Sequence, residues 1–178
     1  MFLVGSFLIV GRFMKACSFF GHRDIPQTEE LKQKVRETVE RLIVEERVDT
    51  FLFGSRSNFD ELCYIVVTEL KEKYPHIQRI AYLCKHETAC LVGAGVKMKQ
   101  QIKQLTGRDV YVPEYEDIKR SDRVNSAGRA AYVERNCLMI KDSNFVVVHL
   151  EEGRNDGKSG SRLAYKYSLR QKKSMLTV

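Results

Sequence analysis

The chain has 178 residues, 43% of them hydrophobic, which is enough for one compact domain with a real core and too much for a disordered tail. Lys and Arg outnumber Asp and Glu by 30 to 23, giving a net charge of +7 and a pI near 9.2. The five cysteines are an odd number with no C-x-x-C pair, so they read as reduced thiols in a cytoplasmic protein, serving as small hydrophobes rather than as a disulfide framework.

The first stretch, "MFLVGSFLIVGRF", is apolar but too short to span a bilayer. It lacks the basic start and small-residue cleavage site of a signal peptide. A self-sufficient strand, "MKACSFFGHR", opens at Met14. Residues 1–13 are therefore expected to be a dispensable extension, with an extra edge strand as the alternative, and residues 14–178 a single domain.

Ala16–Phe20 reads as the first strand. A helix is predicted over Thr28–Glu46, with Leu31, Val35, Val39 and Leu42 on one stripe, Thr28 as N-cap and Pro26 as the preceding breaker. Thr50–Phe53 is a short buried strand, and a helix runs from about Phe59 to Tyr74, where Pro75 ends it. Arg79–Cys84 is a third strand. Cys84, His86 and Cys90 fall close together, but their spacing matches no structural zinc pattern, so no metal is expected.

Further on, Val92–Leu105 reads as helix, Asp109–Val112 as a short strand and Pro113–Asn125 as a charged loop. Ser126–Lys141 is a helix with Ala130, Val133, Cys137 and Ile140 on its apolar side. Phe145–Leu150 is the most β-branched strand. A helix to Lys172 and a strand over Met175–Val178 complete the chain. Strand and helix alternate throughout. That pattern predicts one α/β domain, Rossmann-like, with a mostly parallel sheet and helices on both faces.

In such sheets the ligand crevice lies at the carboxyl ends of the strands. Three polar loops follow predicted strands: "GHRD", "GSRSNFDE" and "EEGRNDGKSGS". Any one alone is an ordinary turn. Three on a common edge point to a pocket for a small phosphorylated ligand. Gly21, His22 and Arg23 are expected to form one wall of it, Gly157, Ser159, Gly160 and Ser161 the other, with Gly54 and Ser55 between. Asp60 and Glu61 lie near a helix start, where a carboxylate serves equally well as a cap. There is no G-x-G-x-x-G and no Walker A motif, so neither a dinucleotide-dependent dehydrogenase nor a P-loop NTPase is supported. The positive charge is scattered among acids, as in "ELKEKYPHIQR", so nucleic acid ranks below a small ligand as partner.

Four segments in order, "CSFFGHRDI", "TFLFGSRSNFDELCYIVVTELKEKYP", "AYVERNCLMIKDSNFVVVHL" and "GKSGSRLAYKYS", resemble the SLOG superfamily, which contains the DprA/Smf DNA-processing proteins and the lonely-guy phosphoribohydrolases. The nearest likeness is to its small bacterial YpsA-like branch. The resemblance implies a Rossmann-like fold that binds a nucleotide or nucleotide derivative. It adds Arg135 and Asp60 to the ligand-binding set, because both fall on positions of the superfamily's motifs. In the last segment a neutral residue replaces the glutamate that serves hydrolysis in lonely-guy enzymes. The expected function is therefore binding of a nucleotide-derived ligand by a sensor or accessory protein. Alternatives are cleavage of a nucleoside 5′-monophosphate and DNA binding. No cofactor is required, no membrane partner is expected, and a homo-oligomer stays open.

Overall fold

Alternate side chains of a strand point to opposite faces, and the first strand follows that rule strictly. In the computed structural model, which describes residues 14–108, 111–121, 128–150 and 159–178, β1 (Lys15–Gly21) is buried from Ala16 to its end. Cys17 and Phe19 enter one core, Ala16 and Phe20 the other. β2 (Val48–Phe53) repeats the pattern, with Phe51 and Phe53 on the first face and Leu52 on the second.

The first face is covered by α1 (Glu29–Val44) and α2 (Asn58–Lys73). α1 buries the stripe expected from sequence, Leu31, Val35, Val39 and Leu42, and Thr28 caps it by accepting a hydrogen bond from Leu31 N–H at 3.2 Å. Phe19 stacks on Phe51 and Phe53, with ring centroids 6.1 and 5.3 Å apart. Removing such a buried ring costs about 3–5 kcal/mol.

β3 (Gln78–Leu83) extends the sheet. β4 (Cys90–Leu91), α3 (Ala94–Thr106) and β5 (Glu114–Tyr115) follow, and β4 pairs with β5 in a small parallel sheet of its own. β6 (Asp117–Arg120) then joins β3. After α4 (Arg129–Asp142) come β7 (Phe145–His149), α5 (Gly160–Arg170) and β8 (Ser174–Thr177). α4 and α5 cover the second face through Met139, Ile140 and Ala164.

The main sheet has six strands in the order β6-β3-β2-β1-β7-β8, all parallel. This is the Rossmann-like architecture expected from sequence. The winding reverses at β1, which lies between β2 and β7, and every strand delivers its following loop to the same edge.

Two expectations are corrected. The segment Pro113–Asn125, expected to be a charged loop, holds β5 and β6, whereas Tyr111 and Val112 form no strand. β6 is an edge strand whose side chains are mostly exposed, so charge replaces the hydrophobic alternation that marks an interior strand. On α4 the buried residues are Arg135, Met139 and Ile140, while Ala130 and Val133 are exposed. A charged residue on the buried face defeats an apolar periodicity. Residues 1–13 lie outside the described residues. Among the described residues no helix is long and apolar enough to cross a membrane.

Candidate functional site

The first predicted wall stands at the end of β1. A Cβ on Gly21 would lie 2.5 Å from Phe59 Cβ, so the glycine is required by the approach of α2 rather than by room for a ligand. His22 is buried at 3% exposed, and Arg23 is exposed. The Arg23 carbonyl accepts from Asn58 N–H at 3.0 Å, which fixes the start of α2 against this loop.

The second predicted wall stands at the start of α5. Ser159 is the N-cap and accepts from Arg162 N–H at 3.2 Å. Ser161 donates to the Gly21 carbonyl at 2.5 Å, so the two predicted walls do meet. Gly160 is exposed, and a Cβ there would meet nothing within 4 Å. Gly157 lies outside the described residues.

A cavity of about 430 Å³ opens beside this junction, at the carboxyl ends of β2 and β3. Its floor is Phe53, Ala81 and Leu83, its mouth carries Arg56 and Glu61, and Tyr64, Tyr111 and Tyr115 form an aromatic wall. Tyr64 sits edge-on to Tyr115 and Tyr111, with centroids 5.2 and 6.0 Å away. Burial raises all three phenols above their ordinary range. They therefore stay protonated at neutral pH and remain hydrogen-bond donors. Tyr64 Oη donates to the Glu114 carbonyl at 2.5 Å and accepts from Glu114 N–H at 2.7 Å, which holds β5 over the cavity.

Asp60 lines the cavity and is 7% exposed. It does not cap α2: Ser57 does, accepting from Asp60 N–H at 3.1 Å. Asp60 Oδ2 accepts a long bond, 3.3 Å, from Arg56 N–H, and Oδ1 has no hydrogen-bond partner among the described residues. Burial pushes the carboxyl up to about 6, against the Arg56 amide, the Arg135 charge, Ser55 and Gly54, which all pull it down. Ser55 lies half-buried with its Oγ 3.3 Å from Ser57 Oγ.

Arg135 is buried, at 2% exposed, in a cluster of alternating charge. Its Nη1 donates to both Glu87 oxygens at 3.1 Å, and Arg56 Nε lies 3.2 Å from the same carboxylate. Burial alone would raise the Glu87 carboxyl, but Cys84 N–H and the two arginines overcome it and hold it below its ordinary value. A Cβ on Gly54 would lie 2.4 Å from the Tyr82 carbonyl and 3.3 Å from Arg135 Cδ, so Gly54 lets the end of β2 pass close to the β3 backbone beside this clamp.

Of the predicted site residues, the structure brings Gly54 and Asp60 to the cavity and spends Gly21, Ser159 and Ser161 on packing and capping. Sequence reasoning missed Arg56, Glu87 and the tyrosines. The aromatic pair in "YVPEYED" was the available signal for the wall. A lone glutamate in "KHETAC" gave none for Glu87.

The protein is thus a Rossmann-like α/β domain with an aromatic and acidic cavity at its carboxyl edge. No family model matches the sequence, and no curated protein does. Among solved structures, DNA processing protein A (DprA) from Streptococcus pneumoniae superposes with a TM-score of 0.55 at 12% identity, over 92% of this chain and 50% of that one. The chain therefore spans about half the length of that neighbour. N-acetylneuraminate lyase from Mycoplasma synoviae overlaps 88% of this chain and 51% of its own at 15% identity, but a TM-score of 0.28 carries no argument. At that identity the likeness to DprA shows a shared fold, and it does not reach the YpsA-like branch.

Proposed function

We propose that the chain binds a nucleotide or nucleotide-derived ligand at the carboxyl edge of the sheet, with the base in the tyrosine-walled cavity. The cavity carries this reading. Its volume of about 430 Å³ falls within the range of small-ligand sites, roughly 300–1,000 Å³. Flat rings suit an aromatic wall, and Asp60 has unfilled acceptor capacity. The sugar and phosphate would extend towards the β1–α5 junction, where a helix start favours anions. A neutral residue stands where the resemblance to lonely-guy enzymes would place the hydrolytic glutamate, which supports a sensor or accessory role over catalysis.

Calorimetric titration of the wild type and Tyr115→Ala with nucleotides tests the reading. Base stacking on an aromatic side chain is worth about 1–3 kcal/mol, so Tyr115→Ala should weaken the best nucleotide on the order of tenfold or more. Equal affinity in the two proteins, or no nucleotide bound by either, would refute it.

A DNA-binding accessory role is the second reading. It rests on the fold likeness to a DNA processing protein and on α3, which carries Lys97, Lys99 and Lys103 without an acidic residue. Single-stranded DNA affinity that falls steeply with salt, and is lost on replacing these lysines, would favour it.

A further inference from the structure

We propose that Asp60 reads the base-pairing edge of a purine held in the cavity, and that its carboxylate selects guanine over adenine. The inference deepens the nucleotide reading above and rests on it. Three observations carry it. Asp60 lines the cavity while more than nine-tenths buried. Its Oδ1 has no hydrogen-bond partner among the described residues, and its Oδ2 accepts a long bond from Arg56 N–H, with Ser55 and Gly54 close enough to favour the charged form. It lies close enough to Tyr115 for its charge to raise that phenol further.

The placement beside Tyr115 decides which part of a nucleotide Asp60 meets. A ring stacked against the tyrosine wall turns its edge to the carboxyl. The sugar and phosphate must then point away, which the charges favour. Among the described lining residues Asp60 and Glu61 outnumber the single arginine, and that arginine is already tied to Glu87. A dianionic phosphate is poorly served there, while a neutral base is not.

Selection follows from the donor inventory. An ionised carboxylate only accepts, on about four lone-pair sites. Guanine presents two parallel N–H donors, N1–H and N2–H, and so binds both oxygens. Adenine presents one donor, on N6, beside the N1 lone pair, which faces a carboxylate oxygen across an unmade bond. A site built to hydrogen-bond one edge rejects the other because its own buried group is left unpaired. The Asp χ2 torsion is broad, so the carboxyl can turn to meet the edge.

Protonation reverses the pattern. A neutral Asp60 donates its O–H to adenine N1 and accepts from N6. With the carboxyl pushed up to about 6, that state is reached in mildly acidic buffer. The groups facing Asp60 are Arg56 and Ser55 from the loop before α2, Cys63 on α2, Arg135 on α4 and Tyr115 on β5, with Glu87 holding both arginines. The Cys63 thiol and the Tyr115 phenol are raised and the Glu87 carboxyl is lowered, so these three keep their charge state between pH 5 and 7.5.

The test is calorimetric titration with GMP, IMP and AMP at pH 7.5 and pH 5, on the wild type and Asp60→Asn. At pH 7.5 the wild type should prefer GMP to AMP by about tenfold to a hundredfold, the worth of one bidentate base contact. IMP, which keeps N1–H and lacks the N2 amine, should fall between. At pH 5 the preference should shrink or invert. The amide of Asp60→Asn has one acceptor and one donor side, so at pH 7.5 it should prefer AMP. A purely structural role for Asp60 would move all three affinities together. Binding without a GMP preference, or an unchanged ratio in Asp60→Asn, overturns this assignment and leaves the nucleotide reading standing. Failure of all three to bind the wild type overturns both.

Discussion

At the end of β1 the glycine and the serines that meet it have structural tasks. Gly21 yields its side-chain space to Phe59, Ser161 spends its hydroxyl on the Gly21 carbonyl, and Ser159 caps α5. At the ends of β2 and β3, a few residues away along the same edge, a cavity stays open and a buried carboxylate keeps an oxygen unpaired. The two regions have similar loops, rich in glycine, serine and arginine. What separates them is that the second borders an open cavity with a buried carboxylate in its lining. A buried polar group without a partner costs free energy, so a fold that keeps one has a use for it that packing does not supply.

The comparison can be broken in several ways. The largest effect is expected for Arg135→Leu. It strands the Glu87 carboxylate in a buried position, and breaking such a pair costs about 3–5 kcal/mol. Arg56 remains on the other side of Glu87, which keeps the loss near 3 kcal/mol. Urea unfolding checks this, and a loss below 1 kcal/mol would mean that the cluster is not a clamp.

Next comes Gly21→Ala. Its methyl would meet Phe59 at 2.5 Å, and overpacking of this kind costs about 1–3 kcal/mol. The folded mutant should bind nucleotide as the wild type does. Weaker binding at unchanged stability would return Gly21 to the ligand site.

Asp60→Asn has the opposite sign. The folded protein holds the Asp60 proton up to about pH 6, against an ordinary value of 3.8, so ionising the group disfavours the fold. That cost is absent below pH 4, grows between pH 4 and 6, and is complete above pH 6. Asparagine removes it. Asp60→Asn should therefore be more stable than wild type at pH 7.5, by about 1–3 kcal/mol, and no more stable at pH 3.5. A gain that persists unchanged at pH 3.5 would show that the carboxylate charge is not its source.

The smallest stability effect belongs to Arg23→Ala. The side chain is exposed and the backbone bond from Asn58 survives the change, so stability should stay within about 0.5 kcal/mol. Its effect on ligand is the sharper measurement. A tenfold to hundredfold loss of a phosphorylated nucleotide, the worth of a hydrogen bond to a charged group, would place the phosphate at β1 and make the two regions one site.

The fold was legible because interior strands and amphipathic helices carry their burial in their periodicity. Cys17, Phe19, Phe51 and Phe53 on one face, with Ala16, Phe20 and Leu52 on the other, follow directly from alternation. β6 escaped because an exposed edge strand buries little and reads as charge. The site was half legible. Gly54 stands in a loop and Asp60 in the first turn of the helix that follows it, a stretch whose composition announces itself. Arg135 and Glu87 are 48 residues apart, and nothing local in either segment predicts that one neutralises the other.

The tie between Tyr64 and Glu114 has a kinetic consequence. A phenol stands where a neighbouring strand would be, filling both backbone bonds of one residue in β5. Deuterium uptake at the Glu114 amide therefore requires that this single side chain let go, without unfolding of the main sheet. The amide should exchange faster than those of β1 and β2, and slower than an open loop. Tyr64→Phe should bring it to loop rates while leaving β1 protected. A ligand seated against Tyr64 should slow it. One proton on the roof of the cavity thus becomes a clock for how often the cavity opens.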